Sequence, residues 1–143
     1  MDYTMSNWYT KVKDFHLAFG QRIGETPAVP EDVNERELRM SLLEEEYNEY
    51  MEAEKNADIV EIADALADIV YIACGTAVSY GIPLDKIFDE VHRSNMAKLV
   101  DGKVIRREDG KVQKPAGWTA PDVRGILDKA HIKYICDISK NEV

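Results

Sequence analysis

The sequence has few of the residues on which most nucleophilic and structural metal sites depend. It contains two cysteines, Cys74 and Cys136, and three histidines. Two thiols without a paired spacing indicate neither a disulfide framework nor a zinc site. Walker-type and Rossmann glycine motifs are absent, and no Ser, Cys or His stands with a partner that would activate it as a nucleophile. Nothing in the sequence therefore indicates chemistry that depends on such a nucleophile or on a glycine-rich phosphate loop.

Positive charge and uninterrupted hydrophobic sequence are also scarce. The chain has 18 Lys and Arg against 27 Asp and Glu, a net charge of -9, so general binding to nucleic acid is not expected. The most apolar segment, 59–78, carries Glu61, Asp64 and Asp68, which a membrane span would not readily hold. The N-terminal segment MDYTMSNWYTKVKDF lacks the apolar core of a signal peptide. We therefore expect a cytoplasmic protein without a nucleic-acid or membrane partner.

The spacing of apolar residues predicts an all-α chain whose 143 residues suffice for a single domain with its own core. The predicted helices cover 6–20, 34–55, 58–80 and 84–98, with a last short helix at 122–139. Gly20 and Gly81 are typical helix stops. Residues 99–115 contain two Asp-Gly pairs flanked by short Val/Ile segments, which predicts a small β-hairpin between the last two helices.

The acidic residues of the second helix lie on its apolar face. At 100° per residue, Glu45, Glu46 and Glu49 fall within an arc of about 100°, and Leu38 and Leu42 lie in the same arc. A solvated acidic stripe would lie opposite the leucines. These carboxylates are therefore expected to point toward the neighbouring helix.

The third helix repeats this pattern, since Glu61, Asp64 and Asp68 lie within about 60° of one another. Apolar residues occupy its other sides, so we expect this helix to be enclosed nearly all round. Acids on facing, enclosed surfaces repel one another and lose hydration, at a cost of several kcal/mol per unpaired ion. Few basic residues share these faces. A divalent cation is the natural compensation, and oxygen-only ligands suit Mg²⁺, with Mn²⁺ as the alternative.

Two acidic motifs, EEYNE at 45–49 and EIAD at 61–64, resemble the EExxE…ExxD signature of the MazG-like, all-α NTP pyrophosphohydrolases. That superfamily includes dimeric dUTPases and phosphoribosyl-ATP pyrophosphohydrolases. The segment FDEVHRSNMAKL matches as well, and DGKVIRREDGKVQKPAGW resembles a subgroup related to dUTPase-like bacterial MazG proteins. The resemblance spans 15–121. The spacer between the motifs, 50–60, is at the short end of the family range.

The resemblance implies a core of about four helices, assembled as a homodimer or a dimer of dimers. It also implies that Mg²⁺ is bound by carboxylates: Glu45, Glu49, Glu61 and Asp64. Glu46 would bind metal or take the proton of the attacking water. Asp68 is not part of the minimal signature, but its alignment with Asp64 makes it a further metal-site candidate. Glu46 and Glu49 are the predicted catalytic residues.

A second set of residues is predicted to bind the nucleotide: His16, Arg93, Asn95, Lys98, Arg106, Lys111 and Lys114. The resemblance implies that Asn95 and Lys98 contact the sugar or phosphates, with Arg93 contributing. The basic residues of the hairpin would reach the triphosphate, and His16 with its aromatic neighbours would help to form the base pocket. Structural roles account for the same residues: favourable charge at a helix C-terminus, a solvated hairpin edge and a packed core histidine.

These features predict Mg²⁺-dependent hydrolysis of a nucleoside triphosphate, dUTP or another pyrimidine dNTP, to the monophosphate and pyrophosphate, as nucleotide-pool house-cleaning. A phosphoribosyl-ATP pyrophosphohydrolase and a non-catalytic helical dimerisation or adaptor module are the alternatives. A ferritin-like di-iron bundle would need Glu-x-x-His pairs, which helices two and three lack. Neither Asp-Gly segment fits a calcium-binding EF-hand loop.

Overall fold

Five α-helices make up the regular secondary structure of the computed structural model, which describes residues 5–142 and side chains from Trp8 onward. They are α1 (Met5–Ala18), α2 (Val33–Lys55), α3 (Ile59–Tyr80), α4 (Leu84–Met96) and α5 (Val123–Asn141). The predicted all-α class, the four-helix core and the final helix are confirmed. In the described part of the chain, no helix combines the length and apolarity needed to cross a membrane.

Helix α3 is the centre of the fold. Helices α1 and α2 pack on α3, α4 packs on α1, and α5 packs on α4. The small buried core consists of Val12, Cys74 and Val78, with partly buried apolar side chains around it. Burial is therefore concentrated in the C-terminal half of α3.

The expectation that α3 is enclosed all round is wrong for its first half. Ile59 and Val60 are at least 70% exposed, and Leu66 is about half exposed. The reason lies in the path of α4, which packs on α1 and leaves the outer side of α3 uncovered in the single chain. A helical wheel shows which faces are apolar but not which of them a neighbour covers.

A three-residue link, Asn56–Asp58, joins α2 to α3. Ala57 adopts a left-handed conformation with φ of 48°, and Asp58 caps α3 by accepting hydrogen bonds from the Val60 and Glu61 backbone N–H groups. So short a link makes α2 and α3 antiparallel neighbours. Residues equally far from the link on the two helices therefore lie at the same level.

Arg39 fixes α2 against α3 at the other end of the pair. Its side chain is buried, and it donates hydrogen bonds from Nε to Thr76 Oγ1 at 3.0 Å and from Nη2 to the Ile72 carbonyl at 2.9 Å. Gly75 makes this possible, because a Cβ there would collide with the guanidinium and crowd His16. Burial lowers the pKa of Arg39. The guanidinium crosses between the helices without a carboxylate in ion-pair range among the described residues.

The prediction of a β-hairpin at 99–115 is wrong. Both Asp-Gly turns form, and Asp101 and Gly102 take the positive φ of a two-residue turn. Only isolated antiparallel bridges flank them, Val100 with Lys103 and Arg106 with Val112, so residues 5–142 contain no strand. Two-stranded ribbons are marginal without a further strand or a helix to cover them, and this segment remains exposed.

Candidate functional site

Three of the predicted acidic residues converge between α2 and α3. Carboxylate oxygens of Glu46, Glu49 and Asp68 all lie within 4.8 Å of one another. The helix link explains this meeting, because Glu46 and Asp68 are equally far from Ala57 along the sequence. Glu49 lies one turn along α2 from Glu46, on the same side. The antiparallel pair therefore brings two acids of the first motif to an acid that lies one turn beyond the second.

The spacing of these oxygens suits a divalent cation. Ligands at the Mg–O distance of about 2.1 Å can be at most roughly 4.2 Å apart on one ion. Neighbouring ligands of an octahedral ion are closer, about 3.0 Å apart, so oxygens within 4.8 Å of one another could share one ion after small rotations of the side chains. All the donors are hard carboxylate oxygens, the type that Mg²⁺ and Mn²⁺ prefer. The donor set thus fits the predicted metal.

Glu46 supplies an independent indication of a cation site. Its Oε2 atom is buried and has no hydrogen-bond partner among the described residues. Burial raises the pKa of Glu46, and the negative charges of Asp68, Glu49 and Glu45 raise it further. In the described part of the chain, none of the three clustered acids forms an ion pair. A buried carboxylate oxygen without a partner is costly, and a bound cation would remove that cost.

The other three predicted metal ligands, Glu45, Glu61 and Asp64, are exposed and lie outside this cluster. Glu45 shares with Glu49 an open groove along α2. Glu61 precedes Asp68 by two helical turns, a rise of about 10 Å, so the two cannot bind one ion together. Asp64 is one turn from Asp68, a rise of about 6 Å. Their roles as ligands stay predictions.

Two of the predicted nucleotide-binding residues are engaged elsewhere in the structure. His16 is 2% exposed, and its Nδ1 lies 2.8 Å from the Arg22 carbonyl oxygen, so it packs in the core. Arg93 forms an ion pair with Glu90 at 2.7 Å. This contact and a hydrogen bond from the Asp122 backbone N–H lower the pKa of Glu90. The ion pair lies within α4, and the hydrogen bond from Asp122 joins Glu90 to the residue that caps α5.

The remaining members of that set divide between two places. Asn95 Oδ1 accepts a hydrogen bond from Lys98 Nζ at 3.0 Å at the end of α4. Lys98 and Lys114 both lie over the Trp118 ring. Arg106 and Lys111 lie on the second Asp-Gly turn, where Arg106 donates to the Gly110 carbonyl. The structure thus gathers Asn95, Lys98 and Lys114 at the end of α4 and leaves Arg106 and Lys111 on an exposed turn.

An apolar cavity of about 320 Å³ opens between α1 and α3. Its wall contains two aromatic residues, Trp8 and Tyr71, with a rim lysine and apolar residues: Lys11, Val12, Leu66, Ala67, Val70 and Cys74. The Trp8 side chain is 51% exposed and borders the cavity. Tyr71 also packs edge-on against Phe15, with ring centroids 5.8 Å apart. The periodicity of α1 and α3 marks these residues as apolar but does not show that space remains between them.

Comparison with known proteins matches this chain to a protein family. A family model described as phosphoribosyl-ATP pyrophosphohydrolase matches residues 12–95. The matched range is more than half of the chain and includes all six predicted metal ligands. It ends before Lys98, Lys114 and Trp118. No match was found among curated proteins.

Proposed function

Because the chain belongs to the phosphoribosyl-ATP pyrophosphohydrolase family, we propose that it hydrolyses a pyrimidine deoxynucleoside triphosphate, dUTP or a close relative, with Mg²⁺. The family lies in the MazG-like superfamily that the acidic motifs resemble. Its members are hydrolases that act on phosphoanhydride bonds. A non-catalytic adaptor is therefore set aside as the function. The products of the proposed reaction are the nucleoside monophosphate and pyrophosphate.

The partnerless Oε2 atom of Glu46, inside a cluster of three carboxylates, carries the proposal. Glu46, Glu49 and Asp68 would hold the ion, with Asp64 one turn away. When bound, Mg²⁺ neutralises phosphate charge and lowers the pKa of a nearby water. Glu46, beside the ion, would accept a proton from the attacking water. Glu49, more exposed, is the alternative proton acceptor.

The apolar cavity supports a nucleobase as the recognised part of the substrate. Around α3, Tyr71 in the cavity wall lies about 20° from Asp64, and Asp64 lies about 40° from Asp68. An apolar pocket and the acidic edge of the helix are therefore adjacent sectors of one surface. A nucleotide with its base between Trp8 and Tyr71 would have its phosphates directed along α3 toward the acids. Ligand sites commonly combine an apolar pocket with a few polar groups in this way.

Phosphoribosyl-ATP is the second candidate substrate, because the matched family carries that description. Its base is an adenine that bears a further phosphoribosyl group, so it needs a larger base site than a pyrimidine does. The closing sequence DGKVIRREDGKVQKPAGW instead resembles the dUTPase-like subgroup. The two candidates differ in base size and in the extra phosphate, so a direct comparison of rates separates them.

A substrate panel tests this proposal. Canonical and modified NTPs and dNTPs, with phosphoribosyl-ATP, are incubated with Mg²⁺, and the monophosphate and pyrophosphate are quantified. We expect equimolar products, highest kcat/KM for a pyrimidine dNTP and no turnover with EDTA. Glu49→Gln should abolish turnover with an unchanged circular dichroism spectrum, whereas Glu37→Gln, an exposed α2 control, should retain it. Full activity in Glu49→Gln, or no pyrophosphate from any member of the panel, would refute the proposal.

Self-association as a homodimer or dimer of dimers is part of the proposal. Four large apolar side chains of α2 are exposed at helical spacing, at least 41% each: Met40, Leu43, Tyr47 and Met51. Three of them, Met40, Leu43 and Tyr47, line a shallow groove with Ile69 of α3, an exposed apolar surface of the kind that marks protein interfaces. Met40→Glu should shift sedimentation velocity toward the monomer, and Leu17→Glu on α1 should not. A wild-type chain that sediments as a monomer at every concentration would contradict self-association.

A further inference from the structure

The side chain of Arg39 makes the polar connection between α2 and α3. Its Nε group donates to Thr76 Oγ1 at 3.0 Å, and its Nη2 group donates to the Ile72 carbonyl at 2.9 Å. Among the side chains that the structure describes, no other hydrogen bond and no ion pair joins these two helices. Hydrophobic contact has no preferred direction, whereas these two bonds have one. Arg39 therefore supplies the contacts that define how the two helices align.

Gly75 provides the space that the guanidinium of Arg39 occupies. A Cβ atom at residue 75 would collide with Arg39 Nη2. Arg39 and Gly75 are equally far from Ala57 along the sequence, so they lie at the same level of the antiparallel pair. Helix α3 contains no other glycine. A shifted alignment of the helices would therefore place the guanidinium against a side chain.

The acidic cluster lies two helical turns from this contact on both helices. Glu46 follows Arg39 by seven residues, and Asp68 precedes Gly75 by seven. Seven residues make two turns to within about 20° and a rise of about 10 Å, so each acid lies on the same stripe as its partner in the contact. An alignment that is fixed at Arg39 and Gly75 thus also fixes which residues meet at the cluster.

The acids need such a restraint because their charges repel one another. Carboxylate oxygens of Glu46, Glu49 and Asp68 lie within 4.8 Å of one another, a distance at which like charges destabilise the fold. A slip of one residue would move Asp68 by about 1.5 Å along the axis and about 100° around it, away from Glu46. The three-residue link restrains the helices on one side of the cluster, and Arg39 restrains them on the other.

We propose that Arg39 is a positioning residue of the metal site: it holds α2 and α3 in the alignment that brings Glu46 and Asp68 to one cation. Arg39 pairs with none of the described carboxylates, so it acts on the acids through the alignment of the helices. The inference rests on the proposed function, because the cation is part of that proposal. It extends the site to a residue that touches neither the ion nor the nucleotide.

A double-mutant cycle in EDTA tests this role without any metal. If Arg39 holds the acids together, Arg39→Leu lets them separate, and Asp68→Asn then has less repulsion to relieve. The rise in Tm that Asp68→Asn causes should therefore fall by roughly half or more in the Arg39→Leu protein. Gly75→Ala gives a second form of the cycle, because the new methyl displaces the guanidinium while residue 39 stays unchanged. A rise in Tm of the same size in all three backgrounds would overturn the inference.

The affinity for Mn²⁺, measured from the electron paramagnetic resonance signal of the free ion, tests the metal site itself. Loss of a contact that supports metal ligands commonly weakens binding by about 10–100-fold, so Arg39→Leu should weaken it at least roughly tenfold. Arg39→Lys keeps the charge but lacks the forked donors that reach two acceptors, and it should weaken binding nearly as much. Wild-type affinity in Arg39→Leu, or full rescue by Arg39→Lys, would overturn the positioning role.

Ala53→Gly is the matched control for a general loss of stability. Ala53 is buried on the same side of α2, seven residues beyond Glu46, and glycine there weakens the helix without breaking a hydrogen bond to α3. This variant should unfold at a lower temperature than wild type but change the affinity for Mn²⁺ by less than about twofold. Equal weakening of Mn²⁺ binding by Ala53→Gly and Arg39→Leu would overturn the inference.

The two measurements distinguish this inference from the proposed function. Wild-type protein that binds no Mn²⁺, but in which Arg39 and Asp68 are coupled in EDTA, would support the positioning role and overturn metal-dependent hydrolysis. Mn²⁺ binding and hydrolysis that persist unchanged in Arg39→Leu would overturn the positioning role and leave the proposed function standing.

Discussion

Asp68 contributes one of three negative charges in the acidic cluster, so its neutralisation should stabilise the metal-free protein. For charges within 4.8 Å, each pairwise repulsion is at least about 0.9 kcal/mol in water and about 3.5 kcal/mol at an effective dielectric of 20. Asp68→Asn removes two such repulsions. Because Glu49 is exposed, the value for water is the better guide, and we expect the free energy of unfolding to rise by about 1–2 kcal/mol.

Magnesium should make wild type more stable than Asp68→Asn, the reverse of the order expected without metal. A cation at a hundred times its Kd adds about 2.7 kcal/mol to the folded state that binds it. Wild type would gain that amount, and Asp68→Asn, with one ligand oxygen lost, would gain little. The substitution is thus expected to stabilise the protein in EDTA and to make it the less stable one in saturating Mg²⁺.

Thermal unfolding at pH 8 measures both effects. In EDTA, Asp68→Asn should unfold roughly 3–7 °C above wild type, given the usual unfolding entropy of a chain this long. Glu37→Gln, an exposed position on α2, should stay within about 0.5 kcal/mol of wild type. A metal-free Asp68→Asn protein less stable than wild type, or equal stabilisation of both proteins by Mg²⁺, would refute the assignment of Asp68 to a cation site.

Three further predictions follow from individual contacts. Because the pKa of Glu46 is raised in the folded chain, this carboxyl is protonated in the folded but not the unfolded protein at pH values between its ordinary and its raised pKa. As the pH drops through the raised pKa, the free energy of unfolding of the metal-free protein should therefore rise. The affinity for Mg²⁺, measured by calorimetry, should fall over the same range. Gly75→Ala should lower the free energy of unfolding by about 1–3 kcal/mol in urea, because the new methyl displaces the Arg39 guanidinium, and should become stabilising in an Arg39→Leu protein. Because the pKa of Glu90 is lowered in the folded chain, its ionised carboxylate stabilises the fold at pH values above the ordinary pKa. The difference in free energy of unfolding between wild type and Glu90→Gln should therefore shrink as the pH falls through the lowered pKa. A difference that does not change with pH would contradict the Arg93 contact.

The helices were predictable because capping residues and glycines close in sequence to each helix end determine where the helix begins and ends. The capping side chain of Asp58 and the left-handed φ of Gly81, 67°, fix the two ends of α3 within one residue of the prediction. The prediction of a β-hairpin failed because a hairpin depends on more than local sequence. Asp-Gly pairs specify turns, but a ladder also needs a neighbouring sheet or a covering helix, which local sequence does not reveal. Signals within one turn of the chain were reliable, and those that depend on a distant neighbour were not.

The residues of the candidate site also differ in whether local sequence or tertiary packing determines their place. Glu46 and Glu49 were expected from one helical face, and Asp68 from its alignment with Asp64, since all three positions follow from helix geometry alone. The engagement of Arg93 by Glu90 is also an i, i+3 relation that the sequence contains. By contrast, the burial of His16 depends on the Arg22 carbonyl in the loop after α1. Such contacts are set by tertiary packing.

The apolar cavity and the contacts of Trp118 could not be predicted from the sequence. Trp118 meets Lys98 across the whole of the loop 99–117, and Trp8 faces residues of α3, a helix that is distant from it in sequence. Periodicity assigns each residue to a face but gives no distance between faces. At these positions the structure adds spatial neighbours that the sequence did not reveal.

A divalent cation held between α2 and α3 is the central element of the proposed site. Anomalous diffraction from crystals soaked in Mn²⁺, at a concentration that saturates hydrolysis, locates that ion directly. We predict a manganese peak within coordination distance of Glu46, Glu49 and Asp68, and its loss in Asp68→Asn crystals. Peaks confined to other acidic surfaces, with these three carboxylates unliganded, would contradict the proposed site.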